Sequence, residues 1–124
     1  MRPEVLYLTD IVEAADSIAT FLNGVEREAF LTDELRQSAV LQKFIVIGEA
    51  AARLTAEFQA RHSQVQWRKA VGLRNLAVHE YFSVSQDVIW ATATQDIPLL
   101  RTQVVEILRQ LEADQNLPGP QNPG

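Results

Sequence analysis

The sequence predicts an all-α protein, an antiparallel up-and-down helical bundle, on three observations. Apolar residues recur at spacings of three and four over long stretches, which is the pattern of amphipathic helices. No alternating apolar run is bounded by Asn-Gly or Asp-Gly, so no β-hairpin is expected. The length of 124 residues suits one domain, which we place at residues 1–115. Residues 116–124 hold three prolines and two glycines, and we expect them to form a disordered tail.

The first half of the chain contains two predicted helices. The first has a single apolar stripe, and Gly24 supplies its C-terminal stop. Thr32 is the predicted N-cap of the second helix, which should run to about Ala60. The middle of this helix, residues 39–52, is apolar on more than one side, so it should be a central core helix or a dimer seam.

The second half begins with a weaker helical pattern. Gly72 is expected to interrupt it before the pattern resumes over residues 73–82. Two caps are predicted equally for the last helix, Ser83 in a Ser-x-x-Gln capping box with Gln86, and Ser85. The helix should run over about residues 86–112. We expect Pro98 to kink this helix, because proline lacks a backbone donor and crowds the preceding turn.

Composition limits the classes of function. The chain has no cysteine, which excludes disulfides and thiolate metal sites. It shows neither an apolar stretch typical of a signal peptide nor the roughly 18 consecutive apolar residues of a membrane helix, so we expect a cytoplasmic protein that binds no membrane. The net charge of −5 argues against a general nucleic-acid coating role.

Positive charge is nevertheless concentrated in one segment. Between Gln59 and His79 there is no Asp or Glu, whereas four basic residues lie there: Arg61, Arg68, Lys69 and Arg74. Two interpretations stay open. Charge alone favours an ordinary solvated face, and the alternative is a confined patch that binds phosphate.

One short segment could carry chemistry. The chain has only two histidines, His62 and His79, and no metal-protease, nucleotide-loop or serine-nucleophile motif, so we expect neither a metal nor a cofactor. On a helix, Asn75 and His79 are four residues apart and share a face, whereas Arg74 and Tyr81 are seven apart and form an adjacent stripe.

These residue types suit phosphodiester cleavage. The imidazole of His79 could transfer a proton, the guanidinium of Arg74 could hold phosphate oxygens, and the amide of Asn75 could orient the attacking hydroxyl. Spacing alone leaves structural roles open, since His79 could be a satisfied structural side chain and Arg74 could cap a helix or pair with a carboxylate.

A family resemblance adds to this pattern. Residues 67–82 closely resemble the signature of the HepT-like branch of the HEPN domains, in which an arginine is followed by four residues, a histidine, one residue and a tyrosine. The block Gly48-Glu49-Ala50 and the opening residues 7–11 resemble two further stretches of that family. The resemblance covers nearly everything before the tail.

The resemblance implies a homodimer in which two such motifs face a shared cleft, and a metal-independent endoribonuclease that acts as the toxin of a toxin-antitoxin pair. The antitoxin would be a minimal nucleotidyltransferase (MNT) that adds AMP to Tyr81. His79 would be the general acid or base, Arg74 would stabilise the phosphorane, and Asn75 would position the phosphate or the imidazole. The RNA substrate would also be contacted by the remaining basic residues of the segment, which are Arg61, Arg68 and Lys69.

The chain departs from the family in two places. Leu76 stands where many relatives carry a basic residue, and Gln42 and Ile45 stand where many carry Arg and Glu, which removes charge near the cleft. A second hypothesis is therefore a non-catalytic helical or nucleotide-binding partner of the nucleotidyltransferase, with Arg74 only as a phosphate anchor. A third hypothesis is a structural helical bundle in which the residues of the motif have only a packing role.

Overall fold

The computed structural model describes residues 3–83 and 85–116, with the backbone alone for residues 80–83, 115 and 116. All secondary structure in these residues is helical, which confirms the predicted all-α class. Beyond Asn116, the predicted disordered tail lies outside the described residues. The elements in chain order are α1 (Pro3–Leu22), α2 (Arg27–Phe30), α3 (Glu34–Ala52), α4 (Ala56–Arg61), α5 (Trp67–Ser83), α6 (Gln86–Ala91), a π-helical turn (Thr92–Asp96) and α7 (Ile97–Asn116).

The helix α3 is the central element of the bundle. It packs against α1 on one side and α5 on another, and α1 also packs against α7. The connections place α1 beside α3 and α3 beside α5, each pair antiparallel as in an up-and-down bundle, whereas α7 returns to pack against α1. The prediction of a central core helix is confirmed, because α3 contributes seven buried residues: Val40, Leu41, Phe44, Ile47, Gly48, Ala50 and Ala51.

The core is built mainly from aliphatic side chains, with three fully buried phenylalanines, Phe30, Phe44 and Phe58. Their burial removes a large apolar area from water, which is the main force that holds such a bundle together. No helix within residues 3–83 and 85–116 combines the length and the apolar character needed to cross a bilayer.

The ends of the first helices are set by local capping. Gly24 has φ of +74°, which confirms it as the C-terminal stop after α1. The N-cap of α3 is Asp33 rather than Thr32, because the Asp33 carboxylate accepts the Arg36 backbone N–H at 3.0 Å. The prediction that this helix reaches Ala60 is wrong. It ends at Ala52, and Thr55 caps a separate α4 by accepting the Phe58 backbone N–H.

The prediction that Gly72 interrupts the helix is also wrong, because α5 runs without a break from Trp67 to Ser83. An isolated glycine costs a helix only about 1 kcal/mol relative to alanine. The buried residues on either side, Ala70 and Leu73, are packed in the core, and that burial outweighs the local preference.

The last helical segment is divided where Pro98 was expected to kink it. Of the two predicted caps, Ser85 is the one that caps α6, accepting the Asp87 backbone N–H at 3.1 Å. Ser83 is instead the last residue of α5. A π-helical turn then follows, in which the Ile97 N–H bonds to the Thr92 carbonyl five residues back. Pro98 is the second residue after this wider turn, so the helix is irregular just before the residue that lacks a backbone donor, and the irregularity is a π turn.

Candidate active site

The site begins with the contact between α3 and α5. A Cβ atom placed on Gly48 would lie 2.7 Å from the Arg74 backbone nitrogen and 2.9 Å from the Arg74 Cβ. Contacts that short are essentially never observed, so only glycine allows the two helices to approach this closely. The position of Arg74 in the bundle therefore depends on the missing side chain of Gly48.

The next residue of α3 holds the arginine of the motif. The Glu49 carboxylate pairs with the Arg74 guanidinium at 2.7 Å, with the two side chains 39% and 60% exposed. Ion pairs this exposed contribute little to stability, so the main effect of the contact is to orient the guanidinium. From the sequence, Glu49 is expected to be an isolated surface or capping carboxylate, and the ion pair with Arg74 shows that this expectation is wrong. The one sequence feature that could have identified its role is its place beside Gly48, the residue at which α3 contacts α5.

The other two residues of the motif lie on the outward face of α5. Asn75 and His79 are both exposed and are one helical turn apart, as predicted. An imidazole sealed among packed aliphatic side chains could not reach an RNA strand. Since His79 is open to solvent, the arrangement permits access by a large substrate.

The helix does not bring Arg74 and His79 together within one chain. Five residues along a helix correspond to roughly 140° of rotation, so these two side chains leave α5 in different directions. Arg74 leaves toward the seam with α3, as its ion pair with Glu49 shows. The structure thus groups Arg74 with Glu49 and Asn75 with His79.

The basic segment is also divided by the fold. Arg68 and Lys69 are exposed at the start of α5, with Arg68 seven residues before Asn75 and therefore on the same face. Arg61 belongs to α4, where its guanidinium lies 5.8 Å from the centre of the Phe58 ring. Since Arg74 is balanced by Glu49, the charge left to attract an anion lies mainly at the start of α5.

Comparison with known proteins decides the family. Residues 11–107 match a family model described as ribonuclease HepT-like. The chain belongs to the HepT-like family. It is 36% identical over 104 residues to "Putative RNase TTE0752" of Caldanaerobacter subterraneus, covering 84% of this chain and 93% of that protein. It is 37% identical over 95 residues to "Probable ribonuclease HepT" of Thermococcus cleftensis, covering 77% and 86% of the two chains.

A third relative is longer than this HepT-like chain. The "Gamma-glutamylcyclotransferase and putative RNase MJ0434" of Methanocaldococcus jannaschii is 28% identical over 117 residues, which are 94% of this chain and 53% of that protein. No solved structure matches the chain.

The second histidine of the HepT-like chain lies apart from the motif. His62 follows α4, and its ring centre lies 4.6 Å from that of Phe58. Its backbone carbonyl accepts a hydrogen bond from the Trp67 indole N–H at 3.0 Å. Burial, with a smaller contribution from the nearby Arg61 charge, lowers the pKa of His62. These contacts give His62 a structural role.

The lowered pKa of His62 predicts a pH dependence of stability. The folded state binds fewer protons than the unfolded state, so the contribution is complete above the ordinary value of about 6.5 and is lost as the pH falls below it. We expect the melting temperature to fall on acidification from pH 8 to pH 5.5, and to fall less in His62→Gln. An equal fall in both proteins would contradict this assignment.

A small apolar surface borders the ion pair of the HepT-like chain. Ile45, one turn before Glu49 on α3, is 37% exposed, and Val78, one turn after Arg74 on α5, is 51% exposed. Because α3 and α5 are antiparallel, both residues lie on the same side of the ion pair. We call Ile45 and Val78 the apolar border.

The remaining predicted features are the tyrosine of the motif and the expected lack of a metal site. The backbone of Tyr81 is part of α5, two residues beyond His79, and its side chain lies outside the described residues. Across the described ranges 3–83 and 85–116, no group of three or more His, Asp or Glu side chains is placed to hold a metal ion.

Proposed function

We propose that this HepT-like protein is an endoribonuclease that cleaves RNA by transesterification without a metal ion. The observation that carries the proposal is the exposure of Arg74, Asn75 and His79 on α5, in a chain of the ribonuclease HepT-like family. Imidazole and guanidinium are sufficient for this reaction, since the first transfers protons and the second stabilises charge on phosphate.

In the proposed reaction, the His79 imidazole accepts the proton of the ribose 2′-hydroxyl. The 2′-oxygen then attacks phosphorus, and the bond from phosphorus to the 5′-oxygen breaks. Solvent supplies the proton that the leaving oxygen takes up, and the His79 imidazolium later returns its proton to solvent. Arg74 stabilises the negative charge that develops on the phosphorane, and Asn75 orients the phosphate or the imidazole. The products carry a 2′,3′-cyclic phosphate and a 5′-hydroxyl.

The proposal includes a homodimer, for a geometric reason. A single α5 directs Arg74 and His79 about 140° apart, so one copy does not aim both at one phosphate. A two-fold axis beside the apolar border would place Arg74 of one copy opposite His79 of the other and create two equivalent sites. The exposed Ile45 and Val78 would then be covered by the second copy.

A shared site predicts complementation between two inactive variants. Arg74→Ala and His79→Ala should each be inactive, whereas their co-expressed mixture should regain about a quarter of wild-type activity. Half of the dimers would be mixed, and each mixed dimer would hold one intact site and one doubly defective site. Purification through a different tag on each variant isolates the mixed dimer. Its inactivity would contradict the shared site.

The reaction itself is tested with purified protein and a labelled RNA oligonucleotide in EDTA. We expect cleavage to continue, and we expect products that end in a 2′,3′-cyclic phosphate, identified by mass spectrometry and by their resistance to direct 3′-end ligation. Loss of cleavage in EDTA, with recovery on addition of Mg²⁺, would overturn metal independence while leaving nuclease activity in place.

We further propose that the protein is the toxin of a toxin-antitoxin pair, neutralised by an MNT-type nucleotidyltransferase. The Tyr81 hydroxyl would attack the α-phosphate of ATP, forming a tyrosyl-AMP phosphodiester and releasing pyrophosphate. Tyr81 is two residues beyond His79 on α5, so the added bulk and negative charge would obstruct an RNA strand. Co-expression should relieve growth arrest and add one AMP mass to a peptide containing Tyr81, and Tyr81→Phe should remain toxic.

One observation favours a second candidate function, a non-catalytic partner of the nucleotidyltransferase. The Arg74 guanidinium already pairs with Glu49, so a phosphate must compete with that carboxylate, and the whole chain has a net charge of −5. Expression of the chain alone distinguishes the two candidates. Growth arrest that requires His79 supports the nuclease, whereas normal growth with stable binding to the nucleotidyltransferase supports the partner.

A further inference from the structure

A groove between α5 and the segment of the π turn and α7 takes no part in the chemistry described above. Its volume is about 300 Å³, which is at the lower end of the range for small-ligand sites. It is lined by Gln66, Lys69, Ala70, Gly72, Leu73, Leu76, Thr92, Asp96, Ile97, Leu99, Leu100 and Gln103. We call it the α5–α7 groove.

The walls of the groove suit a flat apolar ring. Leu73, Leu76 and Leu100 form much of the lining, and Leu99 is 58% exposed beside them. One end is held in place by Gln103, whose side-chain amide donates to the Gln64 carbonyl at 3.1 Å.

The rim of the groove can recognise hydrogen-bonding groups. Lys69 on α5 supplies an ammonium donor, and Asp96 at the end of the π turn supplies a carboxylate acceptor. Neither makes an ion pair with another residue of the described ranges. An apolar slot with a donor on one wall and an acceptor on the other matches a nucleobase, which has two flat faces and polar edges.

Gly72 connects the groove to the proposed active site. It lines the groove, and on α5 it lies between Arg68 and Asn75 on the face that also carries His79. A Cβ atom on Gly72 would meet nothing within 4 Å, so the bundle does not require glycine there. The bare Cα leaves the groove open on the side where the RNA backbone would pass.

We propose that the α5–α7 groove is a subsite for one nucleobase of the RNA strand, next to the phosphate that is cut. The base stacks against the leucine walls, and its edges meet Lys69 and Asp96. This inference rests on the proposed ribonuclease function, and it assigns to the monomer a source of sequence preference that the Arg74 and His79 chemistry lacks.

The test fills the groove from its open side. Gly72→Leu places an isobutyl group where no atom lies within 4 Å of the added Cβ, so the protein should fold with an unchanged or higher melting temperature. A non-cleavable oligonucleotide with 2′-deoxyribose at the cut position should bind Gly72→Leu about tenfold more weakly than the wild type, because the base can no longer bury its face against the leucine walls.

Two controls separate a base subsite from general damage. Ala113→Leu puts the same group on the exposed face of α7 and should bind as the wild type does. An oligonucleotide with a single abasic nucleotide beside the cut position should bind wild type and Gly72→Leu equally, because the groove then has nothing to hold. Asp96→Asn should change which base is preferred next to the cut, read from the sequences of the cleaved ends.

Equal binding of the intact oligonucleotide by wild type and Gly72→Leu would overturn the subsite. The subsite would also be overturned if the groove bound free mononucleotides but the affinity for the oligonucleotide did not depend on which base lies beside the cut position. Base-dependent binding without any cleavage would instead support the subsite and overturn the proposed nuclease, so the failures of the two proposals are distinguishable.

Discussion

His79→Ala is expected to lower the rate of RNA cleavage by about 10²- to 10⁴-fold, the usual contribution of a positioned general acid or base. The imidazole is exposed on α5, so its removal should leave no cavity and change the free energy of unfolding by no more than about 0.5 kcal/mol. The measurement is a single-turnover cleavage rate on a labelled RNA, together with a thermal melt of the same preparation.

The second histidine is the matched control for this experiment. His62→Gln removes an imidazole that packs on Phe58 and lies outside the motif, and it should cleave at the wild-type rate. A His79→Ala protein that cleaves RNA as fast as the wild type would remove His79 from the mechanism. Equal losses in the two variants would point to damage of the bundle instead of loss of an acid or base.

Gly48→Ala is expected to destabilise the bundle by about 1–3 kcal/mol, the usual cost of overpacking. The added Cβ would lie 2.7 Å from the backbone nitrogen of Arg74, so α3 and α5 must separate. The same movement displaces the Arg74 guanidinium from Glu49, and cleavage should fall together with stability. Thermal melts and cleavage rates below the melting transition measure the two effects.

The neighbouring helix supplies a control with the same chemical change. Gly72→Ala also adds one methyl group within a helix, but nothing lies within 4 Å of the new Cβ. Its helix propensity should therefore raise stability by about 0.5–1 kcal/mol. Opposite signs for the two substitutions would show that contact with α5, and not helix propensity, requires glycine at position 48. A stabilising Gly48→Ala would contradict the close approach.

The helical class could be predicted because it depends on local periodicity. Apolar spacings of three and four identified the main helices, and Gly24 and Ser85 were correct as end signals because their effects act within a few residues. Predictions failed where tertiary packing or a nearby cap competed with the local pattern. Thr55 started a new helix in a segment that looks continuous, and burial around Gly72 carried α5 through a residue that usually weakens helices.

Within the candidate site, the shared face of Asn75 and His79 could be predicted from the sequence, whereas the pairing of Arg74 with Glu49 could not. The spacing of Asn75 and His79 follows from the helical repeat, and their shared face is a property of the sequence. Glu49 is distant along the chain from Arg74, and no periodicity predicts that their side chains meet at 2.7 Å.

By itself, the sequence determined which segments are helical and which polar side chains share the outer face of α5, because both depend on the repeat of a single helix. Only the tertiary structure decided that α3 touches α5 at Gly48, that Glu49 holds Arg74, and that the α5–α7 groove opens beside Gly72. The physical reason is that contacts between helices depend on how complementary surfaces pack in three dimensions, which the pattern within any one helix does not specify.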